Sequence, residues 1–380
     1  MIENIPADES DQIDAIVDST LRQLEIRYPG DERALRAVHA KGHACVRATF
    51  KVADELDARY RIGVFATPGI GFDTDIRFSN AAVLVTPDSP DSERGRSHGS
   101  RGVALKLHDV IGPRLREEGE SDTQDFLMIN QPVFAFANVE DYAALSAALE
   151  RDTETRASNG AGFFSRMPDG TSPPTPLQKR AARTFDIIGR IRSFTAETPE
   201  NKEDGKPKAF QAPPASPVDN TYFGAAPFQL GENQVMRFRL KPAARSNDLP
   251  NVESEDYLRE ALARRLADTA AGDVIFEFGA QVRSMNELAP DVDIEDASEQ
   301  WPETIPFVHL ATVTIPCQQF SADGQREACE ALVFNPWNGL EAHRPLGGIN
   351  RLRKPVYDAS VSARCPHYSR RNVSECPDRQ

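Results

Sequence analysis

The chain is short of positive charge and of cysteine, and it lacks any long apolar run. Its 380 residues carry 44 Lys and Arg against 58 Asp and Glu, which gives a net charge of −14 at pH 7. This acidic balance excludes broad binding to nucleic-acid backbones, because no basic field covers the surface. No stretch approaches the roughly 18 apolar residues of a membrane-spanning helix, and the acidic start MIENIPADESDQ is unlike a secretory signal. We therefore expect a cytoplasmic protein without a membrane span.

The cysteines are few, odd in number and scattered. They stand at Cys45, Cys317, Cys329, Cys365 and Cys376, with no Cys-x-x-Cys pair among them. This spacing predicts neither a disulfide framework nor a zinc site.

Phenylalanine and proline are plentiful, with 20 Phe and 28 Pro, and the prolines gather in loops. Runs rich in Val, Ile and Phe predict eight strands, at 44–52, 61–66, 76–85, 102–110, 133–138, 235–240, 274–282 and 307–315. Helical spacing predicts helices at 9–28, 139–150, 177–194 and 255–272. We expect an α+β fold, a single antiparallel eight-stranded β-barrel with inserted helices, because closure protects strand edges. The predicted organisation is a helical arm at 1–30, the barrel domain at 31–365 and a tail at 366–380.

Two histidines precede and begin the first strand. His39 lies in RAVHAKGHACV at the mouth of that strand, where an imidazole could face a cavity as a general acid and base. A histidine that only hydrogen-bonds a turn explains the position about equally well. His43 is close by, and the pattern does not say which of the two points inward.

Near the other end of the sequence, Arg353 and Tyr357 are four residues apart and would share one face of a helix. A guanidinium beside a phenol favours the anionic phenolate through direct charge attraction. A phenolate is a hard ligand that could bind ferric iron, and Arg364 follows on the same side of the helix. Taken alone, a surface helix with an ordinary Arg–Tyr contact is the commoner explanation.

Several short motifs occur in a characteristic order along the chain. They are Arg36-Ala37-Val38-His39-Ala40-Lys41-Gly42, Arg77-Phe78-Ser79, Arg101-Gly102, Asn130-Gln131-Pro132-Val133-Phe134, Phe334-Asn335-Pro336, and Arg353 to Tyr357 with Arg364 beyond. In this order they resemble the heme catalases, and specifically the short catalase-related proteins of bacteria. The resemblance spans roughly residues 30 to 365, and its pocket is also similar to that of the allene oxide synthases.

The resemblance implies a heme b cofactor inside the barrel, with Tyr357 as the iron ligand and Arg353 stabilising its phenolate. It implies that His39 moves the peroxide proton, that Ser79 orients His39 and that Asn130 positions the peroxide. The other cofactor-binding residues it implies are Arg36, Arg77 and Arg364 facing the heme propionates, and Val38, Phe134 and Tyr142 next to the heme. The substrate would be hydrogen peroxide or an organic hydroperoxide.

The chain also departs from the family. Catalases usually carry two adjacent asparagines ahead of Thr-Pro, whereas here Asn130 alone precedes Gln-Pro. The long N-terminal arm and the C-terminal flavodoxin-like domain of large catalases have no counterpart in this sequence. The sequence also contains no recognisable nucleotide-binding stretch, so we expect no tightly bound NADPH. A more accessible pocket and a looser homodimer or homo-oligomer are expected in consequence.

Three functions follow from these motifs. The first is a catalase or catalase-related peroxidase that decomposes or reduces hydrogen peroxide or organic hydroperoxides. The second is a fatty-acid hydroperoxide isomerase or lyase of the allene oxide synthase type, which typically has Thr before the distal histidine. Val38 at that place favours peroxide turnover. The third is a non-catalytic heme-binding protein, which the joint presence of His39, Arg353 and Tyr357 disfavours.

Overall fold

The computed structural model describes most of the chain. The described residues are 2–30, 34–82, 85–88, 99–116, 122–155, 166–168, 170, 172–192, 202–203, 206–207, 214–246, 248, 253–321 and 324–364. The predicted tail at 366–380 lies outside them.

Eight antiparallel strands form a closed barrel, as predicted. The strands of the chain are β1 (Gly42–Val52), β2 (Gly71–Asn80), β3 (Arg101–Leu107), β4 (Gln124–Ile129), β5 (Lys202–Glu203), β6 (Lys206–Pro207), β7 (Tyr222–Phe223), β8 (Phe228–Leu230), β9 (Gln234–Pro242), β10 (Val274–Ser284) and β11 (Val308–Ile315). The ring runs β10-β11-β1-β2-β3-β4-β7-β9, and pairing of β9 with β10 closes it. Strand β8 adds to β9 outside the ring, and β5 with β6 forms a separate ribbon.

Phenylalanines fill the interior of the barrel. In β1 the buried residues Val46, Ala48, Phe50 and Val52 alternate with more exposed ones, the period-two pattern of a strand with one core face. The rings of Phe50, Phe65, Phe126, Phe238 and Phe278 lie in the same core, with neighbouring centroids 4.9 to 6.5 Å apart. The interior is therefore a packed core.

In the described residues, six α-helices accompany the barrel: α1 (Glu9–Arg27), α2 (Val139–Thr155), α3 (Pro176–Arg192), α4 (Tyr257–Ala267), α5 (Gln325–Ala331) and α6 (Gly348–Arg364). Helix α1 packs against α2 and α6 through a cluster built on Ile16, Val139 and Leu352. No helix in the described part of the chain has both the length and the apolar character needed to cross a membrane.

An ion-pair cluster fixes the start of α6. Arg351 donates to the carboxylates of Glu3, Glu9 and Glu295, at distances of 2.6 to 3.2 Å. Glu3 and Glu295 also accept the backbone N–H groups of Gly347 and Gly348. These acceptors satisfy donors at the helix N-terminus, where negative charge is favourable. The N-terminal segment thereby holds the helix that carries Tyr357.

Two predicted strands were wrong, and five strands of the described residues, β4 to β8, were missed. Residues 61–66 form a loop with a 3-10 turn at Gly63–Phe65, where the left-handed backbone of Gly63 (φ 57°) packs against the His343 ring. Residues 133–138 follow a proline and form no strand. Apolar runs predict burial, but burial in a loop and burial in a strand look alike in sequence. These five strands were missed because they are short or begin with polar residues.

The prediction that the cysteines form no disulfide was wrong. Cys45 of β1 and Cys329 of α5 form a disulfide, with their Cα atoms 5.4 Å apart and 284 residues between them in sequence. Scattered spacing gave no indication of it, because the pairing depends on α5 lying across β1. Cys317 is a free thiol, and Cys365 and Cys376 lie outside the described residues.

Candidate active site

A cavity lies between the barrel and helix α6. Strand β2 supplies Arg77 and Ser79, which alternate with the core residues Ile76 and Phe78 and so point away from the barrel interior. The resemblance implied a heme inside the barrel, but phenylalanines fill that space. The cavity instead lies outside the packed interior.

One wall of the cavity carries His39. Its Nδ1 lies 3.0 Å from the hydroxyl oxygen of Ser79, and its backbone is left-handed with φ 58°. The ring rests on Gly102, where an added Cβ would come within 2.3 Å of His39 Nδ1. Only glycine leaves room for the imidazole at this point. Val38 lines the cavity beside His39.

Helix α6 forms the opposite wall and carries Tyr357, Arg353 and Arg364. The Arg353 guanidinium carbon lies 5.6 Å from the centre of the Tyr357 ring and 5.5 Å from that of Phe134. Asn350, one turn earlier, accepts a 3.0 Å hydrogen bond from Arg353. Arg353 is thus held between two aromatic rings, one of which is the predicted iron ligand.

Three arginines converge at one end of the cavity around a single carboxylate, Glu330 of α5. Arg36 forms an ion pair with Glu330, Arg77 lies 3.6 Å from it, and Arg364 donates to the Glu330 backbone carbonyl at 2.8 Å. Burial alone would raise the pKa of the Glu330 carboxyl, but the charges of Arg36, Arg77 and Arg364 together lower it. Burial lowers the pKa of the Arg36 guanidinium, and the neighbouring charges of Arg77 and Arg364 lower it further. Sequence patterns gave no indication of Glu330, which lies outside every motif.

The structure gathers nine of the eleven predicted site residues around the cavity: Arg36, Val38, His39, Arg77, Ser79, Phe134, Arg353, Tyr357 and Arg364. Asn130 and Tyr142 do not line it. Tyr142 packs edge-on against Phe136, with ring centres 4.7 Å apart. Burial raises the pKa of Tyr142, and the nearby Tyr357 charge raises it further, so the two phenols are neighbours.

The side chain of Asn130 is turned toward the backbone. Its oxygen accepts a 2.7 Å hydrogen bond from the Arg101 N–H, and its amide nitrogen donates to the Gly99 carbonyl at 3.2 Å. The preceding residue, Ile129, lines the cavity instead. Successive strand residues point to opposite faces, and Ile129 is the one that faces the site.

His43 lies in a separate buried network behind the first strand. Its Nε2 lies 2.9 Å from the Asn80 side-chain oxygen, and the Asn80 amide donates to Asp88, which also pairs with Lys41. Burial lowers the pKa of His43 to about 4. Of the two histidines at the first strand, His39 is the one that faces the cavity.

The donor set of the cavity fits a heme. Apolar side chains including Val103, Leu127, Phe334 and Val356 form much of its lining. The three arginines carry two more charges than Glu330 neutralises, which matches two propionates. The buried Nε of Arg77 has no hydrogen-bond partner in the described part of the chain, so an acceptor is missing where a propionate would lie. Tyr357 offers a phenol oxygen from helix α6.

Comparison with known proteins finds a curated catalase-related peroxidase and solved structures of catalases. The chain is 22% identical over 339 residues to a catalase-related peroxidase of Synechococcus elongatus, with 87% of this chain and 83% of that protein covered. A bacterial catalase structure matches with a TM-score of 0.56 at 14% identity over 94% of the chain. Catalase A of Saccharomyces cerevisiae matches with a TM-score of 0.57 at 13% identity over 93%. No family model matches.

The chain spans 61% of the bacterial catalase and 64% of the yeast one. Both likenesses to structures show the fold, an antiparallel barrel with helices. Together with the curated relative, they confirm the resemblance that the motifs predicted.

Proposed function

We propose that this chain, a relative of the catalases with their fold, is a heme-dependent oxidoreductase acting on peroxides, of the catalase-related peroxidase type. One observation carries the proposal. His39 and Tyr357 stand near opposite ends of the sequence, yet they line opposite walls of one cavity. A proton-transfer group and a tyrosine oxygen that line one cavity form the arrangement that heme-dependent peroxide cleavage needs.

In this proposal the Tyr357 phenolate would hold the iron, and Arg36, Arg77 and Arg364 would hold the propionates. The heme supplies the electrons that cleave the O–O bond. Arg353 would position the Tyr357 ring, because its guanidinium carbon lies 5.6 Å from the centre of that ring. Without cations, burying two carboxylates would cost several kcal/mol, so the arginine cluster contributes directly to cofactor affinity.

His39 moves one proton. Ser79 fixes its Nδ1 side, so Nε2 is the nitrogen that takes the proton from one peroxide oxygen and returns it to the other, which then leaves. Two overall reactions are balanced in atoms and electrons. Two hydrogen peroxide molecules give two water molecules and O₂, or one hydroperoxide and two phenol molecules give an alcohol, water and two phenoxyl radicals.

Val38 favours peroxide turnover over isomerisation. It lines the cavity next to His39 and offers no hydroxyl to compete for the imidazole. A hydroperoxide isomerase of the allene oxide synthase type, which typically has Thr there, would retain a second polar group beside the histidine. Loss of the conjugated-diene absorbance of a fatty-acid hydroperoxide without added reductant would support that alternative.

The test is reconstitution of the purified protein with hemin. We expect a Soret band, and oxygen evolution from hydrogen peroxide or oxidation of a phenol such as guaiacol by a hydroperoxide. His39→Ala should keep the Soret band and lose most turnover, about 10²-fold or more. Tyr357→Phe should lower heme occupancy and shift the band. His309→Ala and Tyr60→Phe, which alter residues away from the cavity, are the matched controls. Failure to bind hemin, or full activity of His39→Ala, would refute the proposal.

A further inference from the structure

Three residues on neighbouring strands form one row beneath the ring of His39. Ser79 of β2 pairs with Gly102 of β3, and Gly102 pairs with Ile129 of β4. Directly opposed residues of antiparallel strands present their side chains on the same face. Ser79 hydrogen-bonds His39 and Gly102 lies under its ring. Ile129 is therefore the next side chain in the row, about one strand spacing of 4.7–4.9 Å from Gly102.

No amide takes part in this wall. Asn130 is 4% exposed, and both ends of its side chain are bonded to the backbone of Arg101 and Gly99. Turning it toward the cavity would leave those buried groups unsatisfied. The described residues that line the cavity include no Asn or Gln. The proton-transfer group therefore has an apolar neighbour where a second hydrogen-bonding group could stand.

The apolar side chain of Ile129 would distinguish hydrogen peroxide from organic hydroperoxides. Hydrogen peroxide has two O–H groups, and when His39 accepts from one, the other needs a buried acceptor that Ile129 cannot supply. An organic hydroperoxide ROOH has only one O–H group. Its carbon substituent gains from contact with the apolar side chain of Ile129. The row Ser79–Gly102–Ile129 thus offers a polar position for the O–H and an apolar one for R.

We propose that Ile129 is a specificity-determining residue of this site, because it offers an apolar contact to a carbon substituent and no hydrogen bond to a second O–H group. The inference rests on the proposed function and narrows its substrate class. His39 moves the proton from the O–H oxygen to the oxygen that carries R, the O–O bond breaks, and ROH leaves. Two phenolic donors each give one electron and one proton, and the remaining oxygen ends as water, so that ROOH + 2 ArOH gives ROH + H₂O + 2 ArO•.

The experiment compares cumene hydroperoxide with hydrogen peroxide on the hemin-loaded protein, with guaiacol as the donor for both. In the wild type we expect kcat/KM for cumene hydroperoxide to be at least about tenfold higher, the effect of one unmade hydrogen bond. Ile129→Asn should raise kcat/KM for hydrogen peroxide by about tenfold and lower it for cumene hydroperoxide, so that the preference is lost or reversed.

The matched control is Leu127→Asn. It makes the same kind of change two residues away on the same strand face, where the cross-strand partner is Ala104 rather than Gly102. Whatever its effect on absolute rates, it should keep the ratio between the two peroxides within about twofold. As a readout other than turnover, 2-phenylpropan-2-ol, the alcohol from cumene hydroperoxide, should bind about tenfold more weakly to Ile129→Asn when followed by heme absorbance.

The outcomes separate the two proposals. Two results would overturn this inference and leave the proposed function standing. One is a wild type that prefers hydrogen peroxide. The other is an equal change, in Ile129→Asn and Leu127→Asn, of the kcat/KM ratio between the two peroxides. A protein that binds no hemin or reacts with neither peroxide overturns both. If Ile129→Asn does not fold, Ile129→Thr is a smaller polar change that must shift the ratio in the same direction. An unchanged ratio in Ile129→Thr would overturn the inference.

Discussion

The Glu330 carboxylate is expected to stabilise the heme-free protein by neutralising the arginine cluster. Arg36, Arg77 and Arg364 bring three positive charges, and Glu330 is the carboxylate that forms ion pairs with Arg36 and Arg77. The side chains of Arg36 and Arg77 are 10% and 3% exposed and that of Glu330 is 16% exposed. Glu330→Gln keeps the shape of the side chain and removes its charge. The cluster then carries a charge of +3 instead of +2.

Removing one partner of a buried ion pair costs about 3–5 kcal/mol. Because Glu330 is partly exposed and glutamine still accepts a hydrogen bond, we expect a smaller loss, about 2–3 kcal/mol of unfolding free energy. Urea unfolding of the heme-free protein at pH 7, with the Cys45–Cys329 disulfide intact, measures it. Glu327→Gln is the control, since Glu327 is exposed on the same helix, and should change stability by less than about 0.5 kcal/mol.

The same variant has a defined pH dependence. The folded-state pKa of Glu330 is lowered, so its contribution is present above the unfolded pKa of about 4.3 and is lost as pH falls through the folded pKa. The wild type and Glu330→Gln should therefore converge in acid. Hemin should also reduce the difference, because its propionates supply negative charge to the cluster. Equal stability of the two proteins at pH 7 would refute the role assigned to Glu330.

Two further predictions concern Gly102 and the buried histidines. Gly102→Ala places a Cβ within 2.3 Å of His39 Nδ1, so His39 must move. We expect hemin binding to persist and peroxide turnover to fall about tenfold or more. The control, Gly189→Ala, has open space around the new Cβ and should keep full activity. Burial lowers the pKa of both His43 and His343 to about 4, below the unfolded value of about 6.5. The unfolded chain then binds more protons between those pH values, so stability present above pH 6.5 is lost toward pH 4, by up to about 1.4 kcal/mol per pH unit for each histidine. Urea unfolding from pH 7 to 4.5 should show this slope, and an undiminished slope in His43→Gln with His343→Gln would contradict the assignment.

The barrel could be predicted because strand patterning is local. Alternation in β1 and the Val- and Phe-rich runs of β9, β10 and β11 state which residues are buried, and a closed antiparallel barrel is an economical way to pair so many strands. The prediction at 133–138 was wrong because an apolar loop that covers a site has the same composition as a strand. Strand β7, with two residues, is recognisable only through its partners.

The chemical groups of the candidate site are set by the sequence itself. His39, Ser79, Arg353 and Tyr357 stand in short motifs whose order along the chain resembles that of the heme catalases, and the resemblance implies proton transfer and a phenolate ligand. Which groups share a wall was decided only by the tertiary structure. Strand register placed Ile129 rather than Asn130 beside His39, and the crossing of α5 over β1 brought Glu330 to the arginines and Cys329 to Cys45. Such contacts join residues far apart in the chain, and their distances depend on how the whole barrel closes rather than on any local propensity.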